Sequence, residues 1–326
     1  MKMKEIAAAA SVSTATVSKI LNARDEHISE ATRARVLEIV EKTGYMPNAI
    51  AKGLKQNRSK MIGFILPDIS NPFFPNVAKG MEEKAHEYGY GVLIVNTNDS
   101  LEVEKEALRF LSSRKVGGIV FARALQSDHL EKCIETEIPI VVVDRALDFE
   151  SEGMGRIIVD TPAGIMTSTN VLIERGCRRI AYISARYNSS TDRYFGYCRA
   201  LEDAGLPFDE KLVYNDKFTF ETGYNGIEAI LSRTEADGIV CGNDLIAVGA
   251  ISCLNEKGIK IPEQMKVMGF DDIYFSRYMS PPLSTVRQPA YEMGAESAKM
   301  LIEHLENGVP LYNKKLDFSL IMRGTV

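Results

Sequence analysis

From Lys60 onward the chain repeats one unit, a strand-length apolar run followed by a stretch of helical length and then another apolar run. Met61–Pro67, Tyr90–Val95, Gly117–Phe121 and Ile138–Val143 are the first such runs, with helical patterns over Phe74–Tyr88 and Glu102–Ser112 between them. Parallel neighbours in a sheet cannot be joined by a tight turn, and their crossovers are usually helices. The alternation therefore predicts parallel sheets covered on both faces. It resumes after Ile157–Val159, with strands at Ile180–Ile183, Gly238–Val240 and Met265–Phe270 and helices near Ala163–Arg175, Tyr194–Ala204, Glu221–Ser232 and Leu245–Lys257. A chain of 326 residues has room for two doubly wound lobes, each of about 100 residues or more. Ligands are expected beyond the carboxyl ends of the strands, in a cleft between the lobes.

The first 45 residues have no strand signal and read as three short helices, Lys4–Ala10, Thr14–Leu21 and Glu30–Lys42, the last stopped by Gly44. After Pro47, Asn48–Lys55 is a short helical pattern weakened by Gly53, and Gln56–Lys60 is polar. The expected division is a small all-α unit over 1–46, a hinge helix and linker over 47–60, and the two-lobed α/β body over 61–326.

The net charge of −5 conceals an asymmetry. Residues 1–60 hold eleven Lys and Arg against six Asp and Glu, a balance of +5, which leaves −10 for the rest. A basic head on an acidic body suits a protein that meets phosphates at one end. The segment Ile6–Asn22 has the logic of a helix-turn-helix: Ala7 and Ala10 permit close helix approach, Val12 fills the corner, and the Ser13 hydroxyl caps the second helix. Val17, Ile20 and Leu21 face inward, leaving Thr14, Ala15, Thr16, Ser18, Lys19 and Asn22 for solvent or a DNA groove.

Other classes find little support. The longest apolar runs are strand-sized, far short of a bilayer span of roughly 20 residues. The start, Met1-Lys2-Met3-Lys4-Glu5-Ile6, has no apolar signal core, so a cytoplasmic protein is expected. Five cysteines (Cys133, Cys177, Cys198, Cys241 and Cys253) without a C-x-x-C pair read as core thiols, and His27, His86, His129 and His304 lack metal-ligand spacing, so neither a metal nor a cofactor is expected. No nucleophile elbow, phosphate loop or dinucleotide fingerprint occurs, and an enzyme is not expected.

In the body, polar and aromatic clusters fall where strand ends should meet. They are Ser70-Asn71-Pro72-Phe73-Phe74, Asp144-Arg145, Asp192-Arg193-Tyr194, Phe218-Thr219-Phe220, Gly242-Asn243-Asp244, Gly269-Phe270-Asp271-Asp272 and Val286-Arg287-Gln288. Carboxylates, amides and arginine can bond several sugar hydroxyls while Phe rings cover apolar sugar faces, which suits a neutral polyhydroxylated ligand.

The run Val12-Ser13-x-x-Thr16-Val17-Ser18-Lys19-x-Leu21-Asn22, with Gly44-Tyr45-x-Pro47-Asn48-x-x-Ala51-x-x-Leu54 behind it, resembles the head of the lactose/galactose repressor family. That resemblance implies an operator-binding surface made of Ser13, Thr14, Ala15, Thr16, Ser18, Lys19, Asn22, Asn48, Ala51, Leu54 and Lys55. Thr14 and Ala15 fall where the family selects its operator, and Leu54 falls on the wedge that kinks the central base step. Ser11 departs from the glycine common at the turn. The body resembles that family and the periplasmic sugar-binding proteins, which implies an effector shell of Asn71, Phe73, Phe74, Asp144, Arg145, Arg193, Phe218, Asn243, Asp271 and Gln288. The set is most similar to ribose-type sites and points to a pentose. Tetrameric members of the family carry a leucine-heptad tail that Ile321–Val326 does not resemble, so a homodimer on double-stranded operator DNA is expected. The competing readings are a sugar-binding or sugar-processing protein without a regulatory role, and a global regulator with a protein co-regulator.

Overall fold

The computed structural model describes residues 2–21, 25, 27–45, 59–122, 138–144, 154–185 and 193–326. The chain divides into two compact units, Met1–Ser59 and Lys60–Val326.

The first unit packs α1 (Met3–Ala9), α2 (Thr14–Leu21) and α3 (Glu30–Thr43) around Ile6, Ala7, Ala10, Val17, Ile20 and Val36. Val12 and Leu21 pack against this core from its margin. Ser11 sits in the turn with φ +52°, a left-handed backbone that costs a non-glycine residue some energy. Ser13 Oγ accepts a hydrogen bond from the Thr16 amide at 3.1 Å, which satisfies one orphan donor at the start of α2. Gly44, with φ +59°, ends α3 as its left-handed cap.

The second unit holds two six-stranded sheets. In the first lobe β1 (Met61–Leu66), β2 (Gly91–Asn96), β3 (Gly118–Ala122), β4 (Ile140–Asp144) and β5 (Met154–Val159) are joined by β11 (Asn313–Leu316), in the order β11-β5-β4-β3-β1-β2. All its described pairings are parallel. Helices α4 (Phe73–Glu87) and α5 (Leu101–Ser113) belong to this lobe, as does α10 (Ala290–Asn307), which packs on α4. In the second lobe β6 (Ile180–Ala185), β7 (Val213–Asp216), β8 (Gly238–Cys241), β9 (Lys266–Asp271), β10 (Ser284–Arg287) and β12 (Ser319–Ile321) run in the order β12-β10-β9-β8-β6-β7. Here α6 (Thr161–Glu174) packs on α7 (Arg193–Asp203), and α8 (Phe220–Leu231) packs on α9 (Asp244–Glu256). Each sheet has an apolar cluster on either face, as doubly wound layers require.

Among the described residues the chain crosses between lobes three times, after β5, β10 and β11, always at the carboxyl ends of strands. This explains the one departure from parallel pairing among the described strands. β12 enters the second lobe at that end of its sheet, with Ser319 opposite Arg287, and must run antiparallel to β10. Helix α10, the strand β10, where Val286 and Arg287 were expected at a crossover, and the edge strands β7, β11 and β12 were not apparent in the sequence pattern. The edge strands are half-exposed and have no apolar run to mark them.

Cys177, Cys241 and Cys253 are buried and Cys198 is half-buried, while Cys133 lies outside the described residues. No described helix is long and apolar enough to cross a membrane.

Helices α4 and α10 touch through glycine. A Cβ on Gly80 would stand 2.0 Å from the Tyr291 carbonyl oxygen, and one on Gly294 would stand 1.9 Å from that of Val77. In an exposed helix Gly→Ala stabilises by about 1 kcal/mol, but here the methyl group meets backbone that cannot move aside. Gly294→Ala is expected to destabilise the chain by about 1–3 kcal/mol, read as a lower thermal midpoint; an unchanged or higher midpoint would show that the helices are not in contact there.

Candidate functional site

Parallel strands of one sheet all end on the same side, and their exits present side chains to a common space. Beyond β1 the chain turns through Asp68 and Asn71 into α4, whose first residues Phe73 and Phe74 are buried with their rings edge to face at 5.1 Å. Asn71 Oδ1 accepts from the Phe73 amide at 3.1 Å, fixing this entry. β4 ends in Asp144 and β9 in Asp271, both with positive φ (75° and 111°), so each aspartate leaves its strand through a backbone bend that aims it out of the sheet. Asn243 caps α9, its Oδ1 accepting from the Ile246 amide at 2.9 Å.

These exits enclose a narrow cleft between the lobes. Its lining includes Asn71, Phe73, Phe74, Asp144, Arg193, Phe218, Asn243 and Asp271, eight of the ten expected effector residues. Arg145 lies outside the described residues. Gln288 stands behind the lining and donates from Nε2 to Asp271 Oδ1 at 2.8 Å, so it reaches the cleft through that carboxylate. Pro67, Asp68, Asp99 and Thr219 also line the cleft and were not among the expected residues. Thr219 was visible beside Phe218; Asp68 and Asp99 had only their places after the first two strands to mark them.

Arg193 is the centre. It is buried, its guanidinium carbon 4.4 Å from the Phe270 ring centroid and 5.0 Å from that of Phe218. Its Nη1 donates to the Gly242 carbonyl at 2.7 Å. Its Nη2 lies 3.8 Å from Asp271 in its own lobe and 4.0 Å from Asp144 in the other. Among the described residues, Asp144 Oδ1, Asn243 Nδ2 and Gln288 Oε1 are buried without a hydrogen-bond partner. Buried polar atoms are normally satisfied, and the acceptor on Asp144 and the donor on Asn243, both in the lining, are left open for a ligand rich in hydroxyls.

In the first unit, Ser13, Thr14, Ala15 and Lys19 are exposed and Thr16 and Ser18 half-buried on one side of α2. Asn22, Asn48, Ala51, Leu54 and Lys55 lie outside the described residues.

Both parts match family models. Residues 2–48 match bacterial regulatory proteins of the lacI family, and residues 59–315 match the periplasmic binding proteins and sugar binding domain of the LacI family. The chain belongs to the LacI family. Among LacI-family relatives, it is 36% identical over 309 residues to the HTH-type transcriptional regulator RegA of Clostridium saccharobutylicum, covering 93% of this chain and 92% of that one. It is 34% identical over 312 residues to the HTH-type transcriptional repressor PurR of Aliivibrio fischeri (strain MJ11), covering 94% and 92%. A LacI family transcriptional regulator from Enterococcus faecium, solved with bound ribose, superposes with a TM-score of 0.73 at 28% identity over 82% of this chain and 98% of the other. The chain thus joins a lacI-type regulatory head to a body of the periplasmic-binding-protein and sugar-binding type.

Burial pushes the Asp271 carboxyl up to about 8, against the pull of Arg193. The folded protein therefore holds a proton that the unfolded chain releases near its ordinary value of 3.8. Between those values the folded state binds the extra proton, so this group makes stability fall as pH rises, at up to about 1.4 kcal/mol per pH unit. Asp271→Asn carries no such penalty and should gain thermal stability relative to the parent between pH 5 and pH 8. Equal pH dependence in the two proteins would mean that Asp271 is ionised in the fold.

Proposed function

We propose that this LacI-family regulator is a repressor that binds a pseudopalindromic operator as a homodimer and senses a free pentose, D-ribose, in the cleft between its lobes. In this reading residues 1–46 contact the operator, 47–60 form the hinge, 61–326 bind effector and pair the subunits, and the protein works in the cytoplasm beside its DNA.

The observation that carries the effector reading is Arg193 held between Asp144 of one lobe and Asp271 of the other. A sugar that supplies hydroxyls to all three makes contacts that depend on how the lobes are arranged, and only differential contacts shift an equilibrium. Phe73, Phe74 and Phe218 offer ring faces and edges to the apolar side of such a sugar. The ribose bound by the E. faecium relative supports the same class. The unphosphorylated form is favoured by charge: Asp68, Asp99 and Asp144 line the cleft, and the described guanidinium there already donates to a carbonyl and faces Asp144. A phosphate would face these acids without a free cation among the described residues.

Calorimetric titration tests this. D-ribose should bind at least about tenfold more tightly than ribose 5-phosphate, and Arg193→Ala should lose roughly tenfold or more in ribose affinity, about 1.5–3 kcal/mol for each charged hydrogen bond removed. Operator affinity should survive that substitution. Normal ribose binding by Arg193→Ala would remove the cleft from consideration as the effector site.

On the DNA side, the exposed Thr14 and Ala15 are read as base-contacting and Lys19 as phosphate-contacting. Exchanging Thr14 and Ala15 together for other small side chains should change which operator is preferred while leaving non-specific affinity nearly intact. Lys19→Ala should weaken all sequences alike and make the log–log salt slope shallower by about 0.9. An equal loss on every sequence from the Thr14 and Ala15 exchange would show that they do not read bases.

A further inference from the structure

Three residues that form or back the cleft wall of the second lobe come from segments far apart in sequence: Asn243 at the start of α9, Asp271 at the end of β9, and Gln288, behind Asp271, just after β10. Something must hold these segments in register. Asp271 and its neighbour Asp272 both have positive φ, 111° and 55°, a bend that persists only where its surroundings fix it. The next residue, Ile273, donates its amide to Asp244 Oδ2 at 2.9 Å. Ser276 Oγ donates to the same oxygen at 2.5 Å, and Thr285 Oγ1 on β10 donates to Oδ1 at 2.7 Å.

Asp244 is fully buried and does not line the cleft. We propose that it is a positioning residue for effector binding: its one carboxylate ties α9, the β9 exit and β10 together, and thereby fixes Asn243, Asp271 and Gln288 for the ligand. This rests on the reading of the cleft as the sugar site. Several features make Asp244 a built hub rather than a chance contact. A Cβ on Gly269 would stand 2.2 Å from Asp244 Oδ1, so the carboxylate occupies space that β9 leaves free by having glycine there. A buried carboxylate without donors is strongly disfavoured, and here it has three from two other segments. Burial pushes its carboxyl up to about 6, opposed by the Ser276, Thr285 and Ile273 donors and reinforced by nearby Asp272. Each cleft residue lies within three positions of Asp244 or of one of its donors.

Thr285 separates positioning from mere packing. Thr285→Val keeps the shape and suits a strand but deletes the donor, whereas Thr285→Ser keeps the donor and loses a methyl group. In the full-length chain, Thr285→Val should speed amide hydrogen exchange across residues 271–276 by about tenfold and weaken D-ribose binding by about tenfold, while the protein still unfolds in one cooperative thermal transition. Thr285→Ser should keep both quantities within about threefold of the parent. The proposal is overturned if Thr285→Val leaves exchange at 271–276 unchanged, or if the serine variant is as impaired as the valine. Should the parent bind no D-ribose, the sugar assignment fails, and the exchange comparison still decides whether Asp244 holds the turn.

Discussion

The body of this protein is organised around one buried charge. Removing a guanidinium from water is costly unless its surroundings return what water supplied. Arg193 is enclosed by Phe218 and Phe270, bonded to the Gly242 carbonyl and faced by the carboxyl groups of Asp144 and Asp271. One of those groups, Asp144, belongs to the opposite lobe. The charge is therefore best accommodated where the lobes bring these groups together, and under the proposed reading a ligand placed between Arg193 and Asp144 would change which arrangement is preferred.

That placement follows from sheet geometry. Both lobes present the carboxyl ends of their strands to the same cleft, because all three crossings occur at those ends. The aspartates that close β4 and β9 take left-handed backbones, which aims them out of their sheets. The buried central strands supply rigid mounts, since every residue of β3, β4 and β8 is buried.

Much of this was legible in the sequence because alternating apolar runs and helical stretches can be satisfied by few folds. Strand ends located Asn71, Asp144, Asn243 and Asp271, and the resemblance to the repressor family supplied their roles. The remaining edge strands carry no apolar signature. The edge strand Asn313–Leu316 carries two exposed or half-exposed lysines, and Ser319–Ile321 is three residues long; an edge strand needs little hydrophobic area. Gln288 was expected at the ligand, yet it reaches the cleft only through Asp271, because periodicity places a residue on an element and cannot fix the layer in which its tip lies. Asp68 and Asp99 sit in turns, where an acidic residue is ordinary, and only the folded arrangement brings them to the cleft. Ser11 illustrates the opposite case: a departure from the usual turn glycine that is accommodated with φ +52°.

If occupancy of the cleft governs DNA binding, the two ligands must change each other's affinity by the same factor, since a coupling free energy is reciprocal. The most direct measurement is the affinity for an operator, selected from random duplexes, with and without saturating D-ribose, paired with the affinity for D-ribose with and without saturating operator. The account predicts matching changes of about fivefold or more in both titrations, corresponding to a coupling of about 1–3 kcal/mol. Tight ribose binding that leaves operator affinity unaltered would contradict it.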